Sequence, residues 1–266
     1  MVGRFPPSAL VLGGLALALI LVFMLLPLGV VVAASLTAGQ FLTFPPQGLS
    51  FRWYGDVLAS EAYLSSAWTS LKVATLVTIA ATVIGTAAAI GLSRRRLPGR
   101  ALLAGVFLSP LVLPSIIFGI GLLIVFSIWG NGPSLLALAL GHTVLTMPYV
   151  VRTVAAVLAD ADPAIEEAAR TMGAGPVDRL RFVVLPQAKG GILAGAFFAF
   201  NVSFDEAVIA LFLRTPGVET LPMRIYGQLE FSPTPAVAAV STLMILMTIL
   251  VVVAIERSLG LRKVAT

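Results

Sequence analysis

Six apolar runs govern what this chain can fold into: residues 9–34, 71–92, 101–128, 135–158, 190–213 and 236–255. Each reaches the roughly 20 residues that carry a helix across the hydrocarbon core of a bilayer. None alternates apolar and polar residues, as the strands of a membrane barrel must. The expected fold is an all-α integral membrane domain of six transmembrane helices, one domain over residues 1–266. Charged residues agree: they make up 11% of the chain, against roughly a quarter in a soluble domain. Run 9–34 follows Arg4 and ends at Ala33-Ala34, which would suit a cleaved leader. Its apolar stretch is far longer than the about 7–15 residues of a signal-peptide core, so it reads as a retained first span.

The formal net charge of +5 raises the question of nucleic acid. The positions of the charges answer it. With the N-terminus inside, 13 of the 17 basic residues fall on the cytoplasmic side. They are Arg4, Arg94, Arg95, Arg96, Arg100, Arg152, Arg170, Arg179, Arg181, Lys189, Arg257, Arg262 and Lys263. Arg52, Lys72, Arg214 and Arg224 remain outside. That asymmetry follows the positive-inside rule with both termini in the cytoplasm, and it reports topology rather than a nucleic-acid surface.

The remaining features constrain the chemistry. The chain has no cysteine, hence no disulfide and no thiolate metal site. His142 is the one histidine, and without partner ligands it indicates no metal centre. It reads as a hydrogen-bonding core residue or, alternatively, a proton-relay group. Phe51, Trp53 and Tyr54 in the long first outer loop suit an interfacial aromatic belt, or a docking loop. Pro110, Pro114, Gly119 and Gly121 break the third run, which a membrane tolerates only where neighbours or water satisfy the freed backbone.

The segment 161–187, ADPAIEEAARTMGAGPVDRLRFVVLPQ, is charged yet lies between two apolar runs. Asp162 is a strong helix cap, Pro163 fits a first turn, and Gly173 is placed to end the helix. Glu166 and Glu167 sit at the positive end of the helix dipole. About ten residues are too few for a stable isolated helix. Ile165, Ala168, Ala169 and Met172 share one face, which would take a partner surface or fold back on the membrane domain.

Within that segment, Glu167-Ala168-Ala169, then Gly173, then Leu185-Pro186 follow a distinctive pattern. It resembles the EAA loop of binding-protein-dependent ABC importer permeases, with Val183 where isoleucine is usual. The resemblance implies a short cytoplasmic coupling helix between spans four and five, gripped by a cytoplasmic ABC ATPase dimer. It implies further that Glu167, Ala168, Ala169, Gly173, Leu185 and Pro186 carry that coupling. The other implied partners are a second, non-identical permease subunit and an extracytoplasmic solute-binding protein, all at a bacterial-type inner membrane. ATP-Mg would bind the ATPase alone: the three lysines, Lys72, Lys189 and Lys263, are never followed by Ser or Thr, so this chain has no phosphate-binding loop. No catalytic, cofactor-binding or metal-ligating set emerges, and the chain reads as a transport subunit rather than an enzyme.

Asp205 and Glu206 stand in the fifth run. Acids at such depth are costly and normally face a bundle interior or a water-filled cavity. They read as a substrate-pathway pair suited to a cation; otherwise they are already wetted outside or paired with Arg214 or Arg224. The text around them, SFDEAVIALFL and LPMRIYGQLEFSPTPAVAAVSTL, is similar to the spermidine/putrescine-type permeases. That likeness implies a polyamine or related amine as cargo, with opines, ferric ion, thiamine or phosphonates as alternatives. An ion-coupled secondary transporter is the rival mechanism, but it calls for midplane ionisable groups and inverted repeats that the sequence does not display. A non-transporting scaffold would leave the loop unexplained.

Overall fold

A computed structural model describes residues 7–93, 98–130, 132–215 and 217–259. Arg4, Arg94, Arg95, Arg96, Arg262 and Lys263 lie outside the described residues. Among those described, every regular element is helical, and two isolated β-bridges are the only extended pairings. In chain order the helices are α1 (Pro7–Ser35), α2 (Arg52–Ala59), α3 (Glu61–Ser93), α4 (Arg100–Leu108), α5 (Ser115–Ile128) and α6 (Leu135–Asp160). There follow α7 (Pro163–Thr171), α8 (Pro176–Arg179), α9 (Leu185–Asp205), α10 (Val208–Phe212), α11 (Leu221–Phe231) and α12 (Pro235–Leu259). Among the described residues, five helical runs are long and apolar enough to cross a membrane, and the bent pair Arg100–Leu111 and Ser115–Ile128 makes a sixth if taken as one broken span. The all-α membrane fold is therefore what the chain adopts.

The chain divides into two compact units. One comprises Met1–Leu64 and Ile225–Leu250. In it, α1 is apolar throughout and keeps its side chains from Leu10 to Leu26 on the outside of the chain. The loop after α1 is tied down by Thr37, whose buried hydroxyl accepts from the backbone N–H groups of Gly39 (3.2 Å) and Gln47 (3.0 Å). Trp53 donates its indole N–H to the Gly39 carbonyl, and the Tyr54 and Ser35 hydroxyls share a hydrogen bond. Of the three aromatic residues singled out in this loop, two therefore brace it, and Phe51 stays exposed.

The other unit comprises Ser65–Arg224 and Val251–Thr266. Its central feature is a close pairing of α6 and α9. Ala188, Gly191, Gly195 and Ala199 form one buried stripe along α9, at spacings of three and four residues. A Cβ on Gly191 would lie 2.6 Å from the Thr153 carbonyl oxygen and 2.9 Å from Val154 Cα. One on Gly195 would lie 2.8 Å from Val150 Cα. Small residues spaced by four let two membrane helices meet backbone to backbone, where lipid-like side chains give no net hydrophobic drive.

Around that seam lie two apolar clusters. Val150, Val154, Ala188 and Ala199 belong to one; Leu138, Phe126, Ile209 and Leu213 belong to the other. The third run is broken: α4 ends in a 3-10 turn, Ser109–Leu111, and α5 restarts after Pro114 at an angle of 102°. Pro110 and Pro114 flank that break, each lacking the backbone donor a continuing helix would need. The fifth run breaks too. Its helix stops at Asp205 instead of running to residue 213, because Glu206 is extended (φ −70, ψ 111) and a separate short helix, α10, begins beyond it.

Candidate functional site

The charged segment is built from local signals. Asp162 caps α7 by accepting from the Ala164 N–H at 2.8 Å, and Pro163 opens the first turn. At the other end Gly173 has φ +87, its N–H donates to the Arg170 carbonyl, and the Ala174 N–H reaches back to Ala169. This double closure is the Schellman ending, which requires a left-handed residue at the position of Gly173. Arg170 pairs with Glu167 along the exposed face, and Arg179 reaches Glu166 at 3.7 Å, tying α8 to α7. Beyond α8 the backbone widens into one π-helical turn, Leu180–Val184, before α9.

The six residues expected to carry coupling divide by exposure. Glu167, Ala168, Gly173 and Pro186 are exposed, Leu185 is half-buried, and Ala169 is buried. So the alanine pair is split: Ala168 faces out with Ile165 and Met172, while Ala169 packs inward. Two apolar residues that the sequence reading passed over, Val177 and Phe182, are 73% and 67% exposed. Their setting among Asp178, Arg179 and Arg181 was the available signal, since apolar side chains flanked by charges on a short turn have little core to enter.

The two acids at the C-terminal end of α9 have different surroundings. Glu206 Oε1 accepts from the backbone N–H groups of Val208 (2.9 Å) and Ile209 (3.1 Å), so this side chain caps α10. Asp205, one residue earlier, is exposed and has no hydrogen-bond or ion-pair partner among the described residues. Neither acid pairs with Arg214 or Arg224; Arg224 instead binds Glu219 and the Ser66 hydroxyl. On the seam side of α9, Ser203 meets His142 Nδ1 at 3.1 Å, and His142 Nε2 is buried without a hydrogen-bond partner among the described residues. Glu206→Gln retains an acceptor for the two N–H groups and is expected to leave stability unchanged. Glu206→Leu removes it and should cost about 1 kcal/mol, the usual size of a lost cap. Thermal melting of the purified pair of variants separates the two.

The family model described as "Binding-protein-dependent transport system inner membrane component" matches residues 81–262. This chain belongs to that family. It is the permease subunit of an ABC importer and a multi-pass inner-membrane protein, which removes the ion-coupled and scaffold readings. The permease is 30% identical over 254 residues to the spermidine/putrescine transport system permease protein PotC of Escherichia coli (strain K12), covering 96% of this chain and 94% of that one. It is 33% identical over 230 residues to the putrescine transport system permease protein PotI of the same organism, with 84% and 82% covered. Among solved structures, the permease resembles a chain of a bacterial ABC transporter involved in the import of the acidic polysaccharide alginate. That likeness has a TM-score of 0.66 at 17% identity, over 97% of this chain and 99% of the other, and it is one of fold.

Proposed function

We propose that the permease imports small organic amines, polyamines above all, through a pathway that Asp205 borders. The observation that carries this reading is the unengaged carboxylate of Asp205 at the end of a membrane-crossing helix, in a chain similar along nearly its whole length to a spermidine/putrescine permease. A carboxylate at that depth, with no cationic partner among the described residues, is complementary to an ammonium group. Glu206 shapes the turn beside it rather than supplying the main charge.

The energy arrives from outside the chain. α7 and the turns that follow it serve as the handle, with both termini in the cytoplasm. Glu167, Ala168 and Gly173 meet an ATPase subunit; Ala169, Leu185 and Pro186 hold the handle on α9. Two ATPase subunits bind ATP-Mg and close, a second, non-identical permease completes the pathway, and a solute-binding protein delivers cargo from the other side of the membrane.

The test is uptake by vesicles holding the complete importer, given radiolabelled putrescine or spermidine with thiamine, ferric ion and 2-aminoethylphosphonate as competitors. Amine uptake that needs internal ATP, and that Asp205→Asn reduces tenfold or more with no loss of assembled complex, is the expected result. The size corresponds to about 1.4 kcal/mol or more of lost charge pairing. Uptake confined to an anion or a metal ion would overturn the amine reading.

A further inference from the structure

Along α9 a second stripe of residues runs beside the glycine seam. Phe198, Asn201 and Asp205 stand at i, i+3 and i+7, so they share one flank of the helix. Phe198 and Asp205 lie seven and fourteen residues beyond Gly191, at the edge of the stripe buried through Ala188, Gly191, Gly195 and Ala199, and both are exposed. Phe198 is 44% exposed, and Tyr149 of α6 lies against it, the ring centroids 6.2 Å apart and the planes within 25° of parallel. Asn201 spends one amide hydrogen on the Phe197 carbonyl at 2.9 Å. Among the described residues no donor reaches its carbonyl oxygen. A membrane helix that faced lipid here would present a carboxylate and a carboxamide to hydrocarbon on the same flank as the rings, which is costly. The flank is suited to a wet passage.

We infer that the stacked rings of Tyr149 and Phe198 form a second cation subsite of the pathway, about two helical turns removed from Asp205, that takes the alkylammonium chain of a linear amine. The inference rests on the amine reading given above. Asp205 and Phe198 are seven residues apart on a regular helix, about 10 Å of rise. An extended amine with charges at intervals along an aliphatic chain can span that distance. One ammonium meets the carboxylate, the next lies over the ring faces, and Asn201 offers an acceptor between them. Aromatic faces attract ammonium groups electrostatically, while the methylenes between charges pack on the same rings. A single-charged solute of similar size would engage only one of the two points, so the pair favours linear di- and triamines over short monoamines.

Substitutions that keep or remove the π face test this in the complete vesicle-reconstituted importer, with radiolabelled putrescine and spermidine as probes and saturating loaded binding protein. Phe198→Leu and Tyr149→Leu are expected to lower the maximal rate of amine uptake about tenfold, within the range of a desolvated cation–π contact. Phe198→Tyr and Tyr149→Phe retain the ring and should keep most of the rate. All four variants should assemble and hydrolyse ATP as the unmodified complex does. Leucine variants with unimpaired uptake, alongside a defective Asp205→Asn, would overturn the subsite and leave the amine reading intact. Leucine and aromatic variants that are equally defective would also overturn it, because a packing role would then account for the loss. An unmodified importer that moves no amine would remove both the subsite and the reading it rests on.

Discussion

Gly191→Leu is expected to abolish accumulation of the folded permease. At this position the side chain has nowhere to go: the added Cβ alone would stand 2.6 Å from a carbonyl oxygen and 2.9 Å from a Cα of α6. Both obstacles are backbone, so no rotamer change relieves them, and the two helices must separate. Overpacking a well-filled core costs about 1–3 kcal/mol when side chains can yield. Here they cannot, and the loss should exceed the upper end of that range. Gly195→Val should act in the same way, through Val150 Cα at 2.8 Å. The neighbouring Gly190 supplies the control, since a Cβ there meets nothing within 4 Å. Melting of detergent-purified protein, followed by Trp fluorescence, should show Gly190→Leu within a few degrees of the unmodified chain. Gly191→Leu should be absent from the membrane or melt on the order of 10 °C lower. A Gly191→Leu protein of normal stability would mean that α6 and α9 are not joined through this stripe.

Gly173→Val is expected to eliminate uptake while the membrane domain stays folded. Nothing lies within 4 Å of a Cβ at Gly173, so the effect works wholly through the backbone. With φ at +87 the position is left-handed, which costs an L-residue about 1–2 kcal/mol and a β-branched one at least that. The cheapest relief is to unwind the end of α7, releasing the hydrogen bonds from Gly173 to Arg170 and from Ala174 to Ala169. That moves Met172 and the exposed face that carries Glu167 and Ala168. Asparagine enters the left-handed region more easily than other residues, so Gly173→Asn should retain a measurable fraction of uptake. The informative quantity is the ratio of solute moved to ATP hydrolysed in reconstituted vesicles. Gly173→Val should hydrolyse ATP without moving solute, and normal transport in that variant would sink the role given to this turn.

Both helix ends of the charged segment could be read in the sequence because their causes are local. A cap needs an acceptor at Asp162, a start tolerates Pro163, and a Schellman ending needs Gly173; each acts within a turn of itself. The fate of the alanine pair was not legible. Helical spacing puts Ala168 and Ala169 on one side, and only packing against the following turns decides that Ala169 alone is buried. The end of the fifth span escaped for a related reason. Hydropathy continues through Val208 to Leu213, and a break made by Glu206 turning to cap α10 leaves that average unchanged. The π-helical turn, Leu180–Val184, carries no residue type that would announce it. The difference between the two acids followed from the same break: adjacent in sequence, one became a cap and the other stayed free.

The helical run from Pro176 to Asp205 has 30 residues. At 1.5 Å per residue it is a strut of about 45 Å, with the charged segment at its foot and Asp205 at its tip. Leverage follows from the length. A tilt of about 10° about the foot sweeps the tip through roughly 8 Å, more than the width of an ammonium group. The seam of glycines makes α6 follow the same arc, so its stiffness is that of two rods rather than one. Under the coupling proposed above, a small rotation imposed at the foot would in this way be geared up to a displacement large enough to open or shut a passage at the tip.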